Sequence, residues 1–246
     1  MFSFFRSKPP APASFAFLGT DMHSHILPGI DDGAPDVATA VELVRGLAAL
    51  GYKRLIATPH IYKELHPNTR ETIENAWQQC TTALADEGVE LAVQYAAEHM
   101  MDDHFEQLLT AKTLLPISQN YVLVETLAIA PPPQMDTWIF QMQTKGYCPV
   151  IAHPERYAYW HQNKNKLHDL HERGCKLQIN LLSLTGAYSA PVRDQALYLL
   201  KHRLAAFAGT DLHHHKHLAM LQKMCTDSKL MRKLEGYEWE NCQLLN

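Results

Sequence analysis

Two imidazoles stand two residues apart in Asp21-Met22-His23-Ser24-His25, at the end of an apolar run. On an extended segment residues i and i+2 share a face, so His23 and His25 can grip one metal ion. A lone pair of this kind also fits an ordinary strand end at the surface. Here the arrangement recurs. His60 follows Ile56-Ala57-Thr58-Pro59, Glu98 follows Tyr95-Ala96-Ala97, and Glu125 ends Val122-Leu123-Val124. His153 follows Val150-Ile151-Ala152, and Asp211 and His213 follow Phe207-Ala208-Gly209-Thr210. A charged group closing an apolar run is costly to bury unless it is paired or metal-bound. Mixed nitrogen and oxygen donors in this number exceed the needs of one ion, which points to two or three divalent ions sharing a carboxylate.

Such donors act together only if the fold brings them to one place. The 246 residues are 46% hydrophobic and 20% charged, enough for one large core. With 22 Lys+Arg against 26 Asp+Glu the net charge is -4, so no global positive field draws nucleic acid or an anionic membrane. Short apolar runs at 15–22, 54–58, 91–97, 121–125, 149–152, 176–181 and 204–209 alternate with helical patterns, as in repeated β-α units on a parallel sheet. Helical stretches at 36–50, 69–86 and after Pro133 run up to Gly51, Gly88 and Gly146, glycine being favoured at helix C-termini. Further helices are expected at 102–109, 155–173, 191–203 and 218–234. An open sheet would leave donors from its two edges too far apart to converge, whereas a barrel rings all strand C-termini around one mouth. The sequence therefore predicts an α/β fold, a distorted (β/α)7 TIM-like barrel, as a single domain over 15–246.

Residues 1–14 read as a flexible leader, broken by Pro9, Pro10 and Pro12, with an interfacial anchor through Phe2, Phe4 and Phe5 as the alternative. No run reaches the roughly 18 to 20 apolar residues of a membrane span. Five cysteines without a C-x-x-C pair read as reduced thiols of a cytoplasmic protein.

The motifs Asp21-x-His23-x-His25, Asp31-Asp32-Gly33, Thr58-Pro59-His60, Ala97-Glu98, Val124-Glu125, Ala152-His153-Pro154-Glu155-Arg156-Tyr157 and Gly209-Thr210-Asp211-Leu212-His213 together resemble a known set. In order and spacing they resemble the polymerase-and-histidinol-phosphatase (PHP) superfamily. Within it they resemble the bacterial protein-tyrosine phosphatases of capsule and exopolysaccharide systems. The resemblance implies a PHP-type barrel with a three-metal site, commonly manganese or iron; two to three divalent ions are expected, with zinc or magnesium as alternatives. It implies phosphotyrosine on a bacterial tyrosine kinase as the substrate. Carried onto this chain, the metal ligands are His23, His25, Asp32, His60, Glu98, Glu125, His153, Asp211 and His213, with Glu125 as the bridge. Arg156 binds the phosphate and, with Asp211 and His213, serves catalysis. One departure stands out. Where Gram-positive members carry a further arginine after the last histidine, this chain reads His214-His215-Lys216-His217, leaving Lys216 or His217 as substitutes. An ammonium does not reproduce the fork of a guanidinium.

Independently of the resemblance, a phosphate monoester dianion repels hydroxide, and clustered divalent ions both neutralise that charge and lower the pKa of water. Arg156 could hold two phosphoryl oxygens in parallel. Tyr62, His66 and Tyr157 could wall a slot for an aromatic ring, or simply pack. His99, His104, His161, His168, His171 and His202 read as solvated or packing residues on helical faces. Competing readings are a small-molecule phosphatase such as histidinol phosphatase, an amide hydrolase, a TatD-like deoxyribonuclease, and a scaffold without chemistry. Amidohydrolase sites usually carry a lysine where this chain has Glu125, and a deoxyribonuclease needs phosphate-tracking basic residues that the negative balance lacks.

Overall fold

The computed structural model describes residues 13–245; the Phe2, Phe4 and Phe5 of the expected leader lie outside the described residues. The apolar runs become strands: β1 (Thr20–Ser24), β2 (Arg54–Ala57), β3 (His60–Ile61), β4 (Ala92–Tyr95), β5 (Glu98–Met100), β6 (Tyr121–Glu125), β7 (Cys148–Ala152), β8 (Lys176–Asn180) and β9 (Ala205–Gly209). Every pairing between them is parallel, in the orders β1-β2-β4 and β3-β5-β6-β7-β8-β9. The pairs β2/β3 and β4/β5 are each one strand with a break. Pro59 supplies no N–H to a ladder, but its carbonyl still accepts from Glu98 N at 3.1 Å, and Ala96 N donates to Ala57 O at 2.8 Å. Counted this way the barrel has the expected seven strands.

Its seam lies between β1 and β9. At the C-terminal rim Asp211 N donates to His23 O at 2.8 Å and His25 N to Leu212 O at 2.9 Å. Lower down, the buried side chain of Asn241 takes the place of a ladder. Its Nδ2 donates to Thr20 O and Ala208 O, and its Oδ1 accepts from Ala208 N. Outside the strands run α1 (Val37–Ala49), α2 (Arg70–Asp86), α3 (Asp103–Ala111), α4 (Met135–Thr144), α5 (Asn165–Glu172), α6 (Ala190–Lys201), α7 (His215–Met224) and α8 (Ser228–Glu235). A small lumen cluster that includes Met22, Ile56, Ala96, Leu123, Val150 and Phe207 fills the barrel, and a larger cluster seals the helices onto its outside. Because side chains alternate along a strand, the residue two beyond a lumen residue looks into the mouth. Ala96 and Leu123 so place Glu98 and Glu125.

Five expected elements change. The first strand begins at Thr20, because Phe15 to Leu18 form a turn: Leu18 N donates to Phe15 O, and Phe15 N to Leu50 O at the end of α1. The second and third strands extend to include His60 and Glu98. The expected helix at 155–173 is instead two 3-10 turns, Pro154–Arg156 and Ala158–Trp160, followed by α5, the extended Tyr157 separating the turns. The expected tail helix splits where Asp227 Oδ1 caps α8 by accepting from Lys229 N and Leu230 N. All five cysteines are free thiols, as expected. No helix of the described residues is long and apolar enough to cross a membrane.

Candidate metal centre

The nine sequence-predicted donors meet at the barrel mouth in four overlapping groups: His25 with Asp32, His60 and His213; His23 with Glu98 and His153; His23 with His25 and Asp211; and His60 with Glu98 and Glu125. Within each group the ligand atoms lie inside 4.8 Å of one another. Glu98, fully buried, is the hub. Its Oε2 lies 3.2 Å from His23 Nε2, 3.4 Å from His25 Nε2 and 3.2 Å from His60 Nδ1, and its Oε1 lies 2.9 Å from His153 Nε2. Glu125 approaches one imidazole, His60, at 2.9 Å. The carboxylate placed to be shared is therefore Glu98, in place of the expected Glu125. Sequence spacing could rank neither, because both simply end an apolar run.

The hydrogen bonds on the far side of the rings fix which nitrogen faces the mouth. His23 Nδ1 meets Gln178 Oε1 at 3.0 Å, His25 Nδ1 meets Asp31 Oδ2 at 2.8 Å, and His213 Nδ1 meets Asp211 O at 2.9 Å. Each acceptor holds a proton on Nδ1 and turns an Nε2 lone pair inward, the arrangement a metal-ligating histidine needs. His23 Nε2 and His25 Nε2 sit 3.2 Å apart, each 3.4 Å from Asp211 Oδ1. His60 Nδ1 lies close to two carboxylates yet is aligned for a hydrogen bond with neither, leaving it a buried nitrogen without a partner. Converging lone pairs, an unmet nitrogen and mixed N/O donors fit divalent transition ions.

The electrostatics agree. Burial opposes charge on His60, but Glu98, Asp32 and Glu125 outweigh it and push its pKa up to about 10. His25 is likewise raised well above its ordinary value against its own burial, by Asp31, Asp211 and Glu98. Burial would raise Glu98 and Asp211, yet the surrounding imidazoles hold both well below the usual carboxylate range. A field that binds protons this firmly would hold divalent cations in their place.

Close backbone approach underlies the cluster. A Cβ on Gly33 would collide with the His25 carbonyl, and one on Gly209 would fall 2.6 Å from His23 Cβ. His153 and Asp211 both take left-handed backbone, with φ of +31° and +51°. For residues other than glycine that conformation is strained and gathers at functional sites.

The cleft above the donors encloses about 470 Å³ and is walled by Tyr62, Leu65, His66, Met100, Arg156, Tyr188, His214 and His217. Arg156 Nη1 donates to Asp211 Oδ2 at 2.8 Å. Glu155 instead turns inward, where its Oε1 accepts from Asn180 N and Ser183 Oγ. Two residues expected to contact substrate, Tyr157 as a wall and Lys216 as a substitute for an arginine, do not line the cleft. Tyr157 is 1% exposed, its hydroxyl accepting from Thr126 N beneath the cleft, because the residue after the 3-10 turn points into the core. Lys216 is exposed on α7 away from the cleft, whereas His217, one residue on, lines it. His99 lies on β5, not on a helix, with Nδ1 on Leu123 O and Nε2 accepting from Leu115 N. Asp31, Gln178 and Tyr188 were not singled out as site residues. Asp31 alone had a signal, its place beside Asp32 ahead of a required glycine.

Fold and donors together define a (β/α)7 barrel built around a candidate multinuclear metal centre. The chain belongs to the CpsB/CapC family of capsular polysaccharide synthesis, whose sequence profile it matches over residues 19–241. It is 34% identical to the tyrosine-protein phosphatase YwqE of Bacillus subtilis over 197 residues, 80% of this chain and 78% of that one. It is 26% identical to the tyrosine-protein phosphatase CpsB of Streptococcus pneumoniae over 199 residues, 78% of this chain and 82% of that one. A solved structure from work on those two proteins, described as unique metal-dependent tyrosine phosphatases, superposes with a TM-score of 0.75 at 31% identity. It covers 87% of this chain and 94% of its own.

Proposed function

We propose that the chain is a metal-dependent protein-tyrosine phosphatase. Its proposed substrate is phosphotyrosine on a bacterial tyrosine kinase of capsule or exopolysaccharide synthesis, met in the cytoplasm. The observation that carries the reading is one cleft in which four overlapping donor groups lie beside an arginine that borders the same space. His23, His25, Asp32, His60, Glu98, Glu125, His153, Asp211 and His213 would hold two or three divalent ions, manganese or iron, around Glu98. Bound there, the ions would supply Lewis acidity toward phosphoryl oxygens and a nucleophile drawn from water at neutral pH.

The chain's own residues do the rest. Arg156 gives one N–H to Asp211 and keeps the others for phosphoryl oxygens, where a bidentate grip helps most as charge redistributes in the transition state. Gln178, Asp31 and the Asp211 carbonyl hold His23, His25 and His213 in the ligating tautomer. Tyr62, His66 and Tyr188 line the same cleft and offer aromatic surface to a tyrosyl ring. Leu65, 68% exposed at the rim, offers apolar contact to the polypeptide that flanks it. A tyrosyl leaving group, with a pKa of about 10, departs with less help from an acid than an alkoxide would need.

Metal analysis of the purified chain, combined with turnover of a phosphotyrosine peptide against histidinol phosphate, tests this. The expected result is two or three ions per chain, preference for the peptide and loss of activity on chelation. Full activity in metal-free protein, or preference for histidinol phosphate, would overturn the reading.

A further inference from the structure

An arginine side chain is long and rotatable, and Arg156, on a 3-10 turn and 36% exposed, needs other groups to aim it. Two do so. Asp211 Oδ2 accepts from Nη1 at 2.8 Å, and Cζ lies 4.9 Å from the centre of the Tyr188 ring, within cation–π range. Tyr188 is itself tethered: Asn180 Nδ2 donates to its phenol oxygen at 2.9 Å and to the same Asp211 Oδ2 at 2.8 Å. The four side chains form a closed circuit. Asp211 Oδ1, the other oxygen, faces His23 and His25, so a single carboxylate links the circuit to the candidate ion positions. The ring of Tyr188 covers the guanidinium, whose remaining N–H groups have no protein acceptor among the described residues.

We propose that Tyr188 is a positioning residue for phosphate recognition, its ring fixing the plane of the Arg156 guanidinium so that the free N–H groups meet a tetrahedral oxyanion. This rests on the reading of the cleft as a phosphatase site. It assigns Tyr188 a part that acts through Arg156 and requires no contact between the phenol and the reacting atoms.

A double-mutant cycle on the metal-loaded enzyme separates this from a structural role. Tyr188→Leu should weaken binding of inorganic phosphate, measured by calorimetry, and lower kcat/KM on a phosphotyrosine peptide, each by about 10-fold, the scale of a partly desolvated cation–π contact. In an Arg156→Lys background, which has no planar fork left to orient, the same substitution should cost less than about 2-fold. Tyr188→Phe keeps the ring and should recover both quantities to within about 3-fold of wild type. Tyr188→Met, without a ring and flexible enough to fill irregular space, carries the same cycle if Tyr188→Leu folds poorly. Equal losses in both arginine backgrounds would overturn the proposal, as would a Tyr188→Phe variant as damaged as Tyr188→Leu. A wild-type holoenzyme that binds phosphate but turns over no phosphopeptide would instead overturn the phosphatase reading, and the calorimetric cycle would still decide the role of Tyr188.

Discussion

Glu98 and His99 are consecutive on β5 and both fully buried, yet they face opposite sides of the barrel wall. Glu98 looks into the mouth, where four imidazoles crowd its two oxygens. His99 looks out toward the helices, with one nitrogen on Leu123 O and the other accepting from Leu115 N. The outer position is complete as the protein stands, and its imidazole is driven neutral. The inner position is dense with charge, and His60 Nδ1 beside it lacks any partner. Burial alone therefore does not mark a functional polar group. What marks it is a demand for charge or coordination that the protein's own atoms do not meet.

The sharpest way to break this contrast is to remove the charge at the hub. Glu98→Gln keeps the shape and abolishes the anion that the imidazoles share. Bound metal should fall well below wild-type content and phosphopeptide turnover by more than about 1000-fold, the ions being the main source of electrophilic stabilisation. The melting temperature should drop as well, because ions that bind only the folded chain stabilise it. Glu125→Gln touches one imidazole and should lose less on all three measurements. The reverse order would return the shared role to Glu125.

Arg156→Lys tests the edge of the mouth rather than its centre. Turnover should fall about 10- to 1000-fold, as for loss of a transition-state donor, with metal content and melting temperature near wild type. Lost metal would mean that Arg156 serves Asp211 first and phosphate second. Asp31→Asn and Gln178→Ala act one step further out, on the Nδ1 side of His25 and His23. Each should weaken metal affinity by about 10- to 100-fold, read by titration with a competing chelator. An unchanged affinity would show that the ligating tautomer does not depend on these partners.

The gradient from centre to periphery is also a gradient in what the sequence revealed. Eight of the nine donors were legible because each ends or follows an apolar run, and such runs in a barrel converge by topology; Asp32, in the loop before Gly33, was legible only through the family resemblance. The extensions at His60 and Glu98 were not, since strands of two and three residues, set beyond a break in each parent strand, leave no alternating pattern to read. Gln178 and Tyr188 join the site only through tertiary packing: Gln178 is 155 residues from the His23 it orients. Tyr157 was misplaced for a local reason. Strand or helix periodicity does not predict where a side chain points after a 3-10 turn, and here it points inward.

His99 supplies the smallest effect and the one with opposite sign. Leu115 N–H donates to its Nε2, so the single ring proton sits on Nδ1, and a second proton would displace that bond. Burial, partly offset by the Leu123 and Ala97 carbonyls, lowers its pKa to about 4. A depressed folded-state value means that the unfolded chain takes up a proton first. Its contribution is fully present above about pH 6.5 and is lost as pH falls toward 4, by up to about 3 kcal/mol. His60, raised to about 10, works the other way in metal-free protein, contributing stability below its unfolded value that is lost as pH rises through 10. Urea unfolding of chelated wild type and His99→Gln between pH 8 and pH 4 isolates the first effect. The wild type should lose stability faster over the acidic half of that range, with a slope difference approaching one proton. Parallel pH profiles would show that His99 titrates in the fold as it does in the unfolded chain, and the contrast with Glu98 would then be one of geometry without an electrostatic counterpart.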